Sequence, residues 1–103
     1  MIAHVKITVL RRTLNEDFVA KCATHTWEPC SAFSEGQEFI VGREANMPAR
    51  FCSWAWCDIQ KYVLVLARGG DFVGSRPGVT VACCTDGYRP VFFRIERMEP
   101  ERA

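Results

Sequence analysis

The chain contains no run of basic residues longer than Arg11-Arg12, and its formal net charge is only +1 with acids and bases interspersed. Such a surface has no positive stripe to gather a polyanion, so nucleic acid is not expected among its partners. Long apolar runs are also missing. A membrane span requires ~20 consecutive apolar residues, whereas the longest candidate here, Tyr62-Val63-Leu64-Val65-Leu66-Ala67, reads as a core run. No membrane partner is therefore expected. The opening Met1-Ile2-Ala3-His4-Val5-Lys6 has no basic region followed by an apolar segment, so no secretory signal is read and a cytoplasmic location is the expectation. There is no internal repeat, linker or low-complexity tract, no Cys-x-x-Cys pair and no zinc-ribbon spacing.

What remains is a chain of 103 residues, 49% of them hydrophobic. That is one domain, residues 1–103, large enough to bury a real core without disulfide staples. Val5, Ile7 and Val9 alternate with Lys6 and Thr8, the period of a half-buried strand. Thr13-Leu14-Asn15-Glu16 has the spacing of a capping box, which predicts a short helix through Phe18, Val19 and Cys22. Residues 23–36 read as an irregular loop. Gln37–Val41 reads as a second strand closed by Gly42, and residues 43–50 as a polar connection.

The main helix is predicted from Ser53, as its N-cap, to Arg68, with Gly69-Gly70 as its stop. Ala55, Ile59, Val63 and Leu66 form its buried stripe. Trp56, Tyr62 and Leu64 add apolar surface outside that stripe, so a second copy of the chain is expected to cover the helix as a homo-oligomer. Val79, Val81 and Cys83 alternate with Thr80, Ala82 and Cys84, and Val91, Phe93 and Ile95 with Phe92, Arg94 and Glu96. These read as third and fourth strands joined through Asp86-Gly87. The fold class is α+β, in the order β-α-β-α-β-β, with a mostly antiparallel sheet packed against one long apolar helix. Residues 99–103 read as a frayed tail.

Chemistry, if present, rests on the six cysteines. In a chain read as cytoplasmic they are expected as reduced thiols. Cys22, Cys57 and Cys83 fall on predicted apolar faces and read as core thiols. Cys30 in the loop, Cys52 before the main helix and Cys84 at the hairpin are the candidate site residues. A thiol near a helix N-terminus has its thiolate favoured by the dipole, which makes Cys52 the first candidate for a nucleophile or soft ligand. If the three sulfurs converge, zinc or copper(I) is the natural metal. His25, between Cys22 and Cys30, is a ligand or base candidate set against an idle loop histidine; His4 reads as a strand-edge residue. Trp54 and Trp56 lie about 200° apart around the helix, so one can wall a pocket while the other packs in the core. Asp58 suits the positive end of the helix dipole, or orients a pocket group. Asp86 and Arg89 are candidates for contacting a polar ligand group, with Asp86 also a candidate acid or base.

Several blocks together carry a family resemblance. They are Val5-Lys6-Ile7-Thr8-Val9-Leu10, Glu35-Gly36-Gln37-Glu38-Phe39, Phe51-Cys52-Ser53-Trp54-Ala55-Trp56, Cys84-Thr85-Asp86-Gly87 with Arg89-Pro90-Val91, and Ile95-Glu96-Arg97. Over residues 4–98 the chain resembles a family of small prokaryotic cysteine-containing proteins of unknown function. That family has a Cys-x-Trp-Ala-Trp helix start and a Cys-x-Asp-Gly hairpin followed by Arg-Pro-Val. The resemblance implies that Cys30, Cys52, Cys84, Trp54 and Asp86 belong to the family pattern, and it brings no activity with it. The expected function is binding of a small molecule or a soft metal in a pocket at the start of the main helix. A small enzyme or enzyme subunit using Cys52 or Asp86, and an interaction module without site chemistry, are the alternatives.

Overall fold

The computed structural model describes residues 2–98; the expected frayed tail lies outside them. The elements follow in the order β1 (Val5–Arg12), α1 (Glu16–Cys22), β2 (Glu38–Val41), α2 (Ser53–Ala67), β3 (Val79–Cys83) and β4 (Val91–Arg97). The strands form one antiparallel sheet ordered β2-β1-β4-β3. Over the described residues the chain thus folds as a small α+β domain with two helices. None of its described helices is long and apolar enough to cross a membrane.

Alternation decides which face is covered. Val5, Ile7 and Val9 on β1, Phe39 and Val41 on β2, and Val91, Phe93 and Ile95 on β4 are buried together. Onto this face α2 lays Ala55, Trp56, Ile59, Val63, Leu66 and Ala67, the side facing the sheet at helical spacing. Phe33, from the loop before β2, and Phe51, just before α2, close the near end. Phe33 packs edge-on to Phe93 at 5.2 Å and to Phe51 at 5.1 Å between ring centres. Arg50 sets this entry by adopting φ 67°, a left-handed turn that a non-glycine residue holds at a cost of ~1–2 kcal/mol. In β1 a register shift between Val9 and Arg11 leaves Leu10 out of the ladder with β4.

The far end is fastened by Arg97. Its Nη1 donates to the carbonyls of Leu66 (3.0 Å) and Gly70 (2.8 Å), and its Nη2 to Asp71 Oδ1 (3.0 Å). The side chain thereby joins the Gly69 N–H on a last-turn carbonyl of α2, that of Leu66, and ties it to the Gly70 carbonyl just beyond the helix. Asp71 Oδ1 also accepts the Gly78 N–H, and these two hydrogen bonds, the backbone one foremost, hold its carboxyl below the ordinary value of 3.8. Gly69, at φ 90°, supplies the stop read from the sequence.

Three local expectations are corrected. The capping box does not form: Asn15 is the N-cap of α1 and makes no side-chain cap, while Thr13 Oγ1 donates to the Pro90 carbonyl at 2.7 Å. The hydroxyl is drawn to β4 because β1 and β4 run on beyond the ladder, with Thr13 N bonded to the same carbonyl. Cys52 and not Ser53 is the N-cap of α2. The inner face of β3 is the opposite one. Thr80 and Cys84 are buried, whereas Val81 is 57% exposed and Cys83 is exposed. Pairing with β4 sets this register, Ala82 opposite Phe93 and Thr80 opposite Ile95, and overrides the preference of valine for the core.

Candidate functional site

Three segments far apart in sequence meet at the start of α2 around a cavity of about 500 Å³. The loop before β2 contributes Cys30, Ala32 and Phe33, the helix start Cys52, Trp54 and Ala55, and the β3–β4 connection Cys84 to Arg89 with Val91. The size is that of a small-molecule site, and the walls are mostly apolar. Cys30, Cys52, Cys84, Trp54, Asp86 and Arg89 are all brought to this one place.

Trp56 is not. It is 8% exposed and packs edge-on against Phe51 in the core, so its expected role as a ligand contact is withdrawn. The half-turn geometry that places Trp54 at the cavity sends Trp56 inward. The burial expected for three cysteines also fails. Cys22, Cys57 and Cys83 are exposed: α1 buries none of its residues, Cys57 lies on the outer side of α2, and β3 presents its other face. Cys84 is the buried thiol, while Cys30 and Cys52 are half-buried against the core.

The three cavity thiols are not arranged as a metal-ligand set. Among the described residues no group of three or more His, Cys, Asp or Glu side chains is placed to hold an ion. A zinc centre would need each sulfur at ~2.3 Å from one point. The expected zinc or copper(I) site therefore has no support from the arrangement of the described residues.

The connection between β3 and β4 is tied down from three sides. Asp86 Oδ1 accepts the N–H groups of Tyr88 (3.0 Å) and Arg89 (3.2 Å), and its Oδ2 accepts Arg89 Nε at 3.2 Å. Asp86 is thus the keystone of its own turn, the ordinary duty of Asp before Gly. On the helix side Asp58 accepts the Thr85 N–H (2.8 Å) and hydroxyl, and Trp54 Nε1 donates to the same hydroxyl at 3.0 Å. From the third side Asn15 Nδ2 donates to the Gly87 carbonyl at 2.8 Å, and Trp27 stacks on Tyr88 with the Arg89 guanidinium 4.7 Å from its ring centre.

Thr85 and Trp27 were not singled out as site-forming from sequence, whereas Asp58 was read there as a dipole partner or as a residue orienting a pocket group. Asp58 follows Trp54 by one helical turn, and Thr85 directly precedes Asp86, which is the signal that linked them. His25 is exposed and stacks on Trp27 at 4.8 Å without lining the cavity. His4 is exposed just before β1.

No family model matches the chain, and no curated protein or solved structure matches it. The site is therefore read from its own geometry. A second hollow of about 540 Å³ lies at the other end of the β3–β4 hairpin, lined from Arg76 to Val79 and from Glu96 to Met98. It draws on none of the thiols, and its principal cation, Arg97, is spent on the α2 terminus. The cavity at the helix start is the better candidate.

Proposed function

We propose that the chain binds a small, mostly apolar organic molecule in the cavity between the start of α2 and the β3–β4 connection. One observation carries this reading: the segments around Cys30, Cys52 and Cys84 leave a mostly apolar cleft of about 500 Å³ between them, within the size range of small-molecule sites. Phe33, Trp54, Ala55 and Val91 are its walls. Arg89 and Asp86 form a polar edge that orients one end of the ligand. A cytoplasmic location and membership of the thiol-containing family described above belong to the same proposal.

Anilinonaphthalene sulfonate, an apolar dye with one anionic group, is a suitable probe. Saturable fluorescence enhancement by the folded protein at one site per chain is the expected result. Ala32 is exposed at the cavity wall, so Ala32→Trp fills the space without entering the core. It is expected to weaken the dye by about tenfold, or 1.4 kcal/mol. Unchanged affinity in that variant counts against the cavity as the site.

The enzyme reading is carried by Cys52 alone, since both Asp86 oxygens are engaged in the turn. A homo-oligomer stays part of the proposal because α2 leaves Trp54 (63%) and Val65 (39%) exposed on its outer side. Sedimentation of a monodisperse monomer would remove it.

A further inference from the structure

We infer that the cavity captures small apolar electrophiles by conjugate addition to Cys52; this rests on the cavity's being a binding site and names the class of molecule it takes. Half of the chain's cysteines, Cys30, Cys52 and Cys84, face one mostly apolar space, while Cys22, Cys57 and Cys83 face solvent. A ligand held there lies beside soft nucleophiles. The three thiols differ in freedom. Cys84 is buried with its sulfur accepting the Val91 N–H, and Cys30 is anchored through its carbonyl, which accepts from Arg12 Nη1 at 3.1 Å. Cys52 is half-buried and its side chain makes no hydrogen bond to the helix it precedes. Its sulfur is uncommitted, unlike that of Cys84, and of the two half-buried cavity thiols it is the one placed at the start of α2.

An enone illustrates the step. The Cys52 thiol gives its proton to water, and the sulfur lone pair forms a bond to the β-carbon. The alkene pair moves to place negative charge on the carbonyl oxygen, and the α-carbon then takes a proton from water. One C–S and one C–H bond replace the S–H bond and the alkene π bond, with no oxidant or further reactant.

The full chain is treated with benzylideneacetone, an apolar aromatic enone, and in parallel with iodoacetamide, a small polar alkylator, and the adducts are mapped by peptide mass spectrometry. With the enone, Cys52 is expected to react faster than Cys22 and Cys57 by about tenfold or more, the concentrating effect of holding an apolar group beside the thiol. Iodoacetamide is expected to favour Cys22 and Cys57, and unfolding in guanidinium is expected to erase the enone's preference. Ala32→Trp should slow the enone at Cys52 and leave iodoacetamide at Cys57 unchanged. Enone adducts at Cys22 and Cys57 as fast as at Cys52, or first at Cys30, overturn the inference. If the dye binds while Cys52 shows no preference, the electrophile class fails and the binding site stands. If neither occurs, both fail.

Discussion

Among the residues, the cysteines show how far a side chain's neighbours outweigh its type. Cys83 is exposed as a residue, yet partial desolvation of its sulfur raises its pKa above the ordinary 9.0, with the neighbouring Cys84 and the Asp58 carboxylate adding to the rise. The thiolate is the reactive form, so exposure alone overstates its reactivity. The rate of Cys83 alkylation by iodoacetamide, followed against pH, is expected to have its midpoint above 9.0. A midpoint below that value would contradict the local electrostatics described here. None of this was legible in the sequence. The alternation of Val79, Val81 and Cys83 with Thr80, Ala82 and Cys84 favours burying the valines, and only the pairing with β4, which no alternation records, turns the other phase inward. Asp86 was legible, because Asp before Gly in a short connection has one common use. The other side of that turn, Trp27 stacked on Tyr88, depends on a loop whose course no periodicity records.

At the level of elements, α2 was the most readable part of the chain: its stripe of Ala55, Ile59, Val63 and Leu66 is buried as expected. Its ends were harder. No basic residue stands in its last turn, and the charge that serves the C-terminus comes from Arg97, on β4. Arg97→Met keeps much of the aliphatic stem and removes the donors. It is expected to lower stability by about 1–3 kcal/mol, the scale of hydrogen bonds to a charged group, measured by urea unfolding. The Asp71 carboxyl gives this terminus a pH signature. Its folded pKa lies below the ordinary 3.8, so between the two values the unfolded chain binds more protons and stability rises with pH. The contribution is complete above about pH 3.8 and disappears as pH falls through the folded value. Asp71→Asn should therefore be less stable than the parent at neutral pH, with the gap narrowing in urea titrations carried below that pH. A gap independent of pH would show that the hydrogen bonds, and not the charge, account for the difference.

For the molecule as a whole, the site is a product of topology. With β1 and β4 adjacent at the centre of the sheet and α2 crossing from β2 at one edge to β3 at the other, the helix start comes to lie beside the β3–β4 connection. The fold class could be read from alternation and one helical stripe, and the cavity could not, since it requires residues 30–33, 52–55 and 84–91 to be neighbours. What holds the third segment to the second is the pair of bonds from Thr85 to Asp58, reinforced by the Trp54 indole. If that tie positions the cavity wall, Asp58→Ala should weaken dye binding more than it weakens the fold, because the ladder between β3 and β4 persists without it. A double-mutant cycle with Thr85→Ala separates the two effects, and a coupling of about 0.5–3 kcal/mol is expected for residues in one hydrogen-bond network. The same coupling should appear in the dye's binding free energy. Coupling in stability with none in binding would mean that the tie supports the fold alone, and that the cavity keeps its shape through the Asp86 turn and the Trp27 stack.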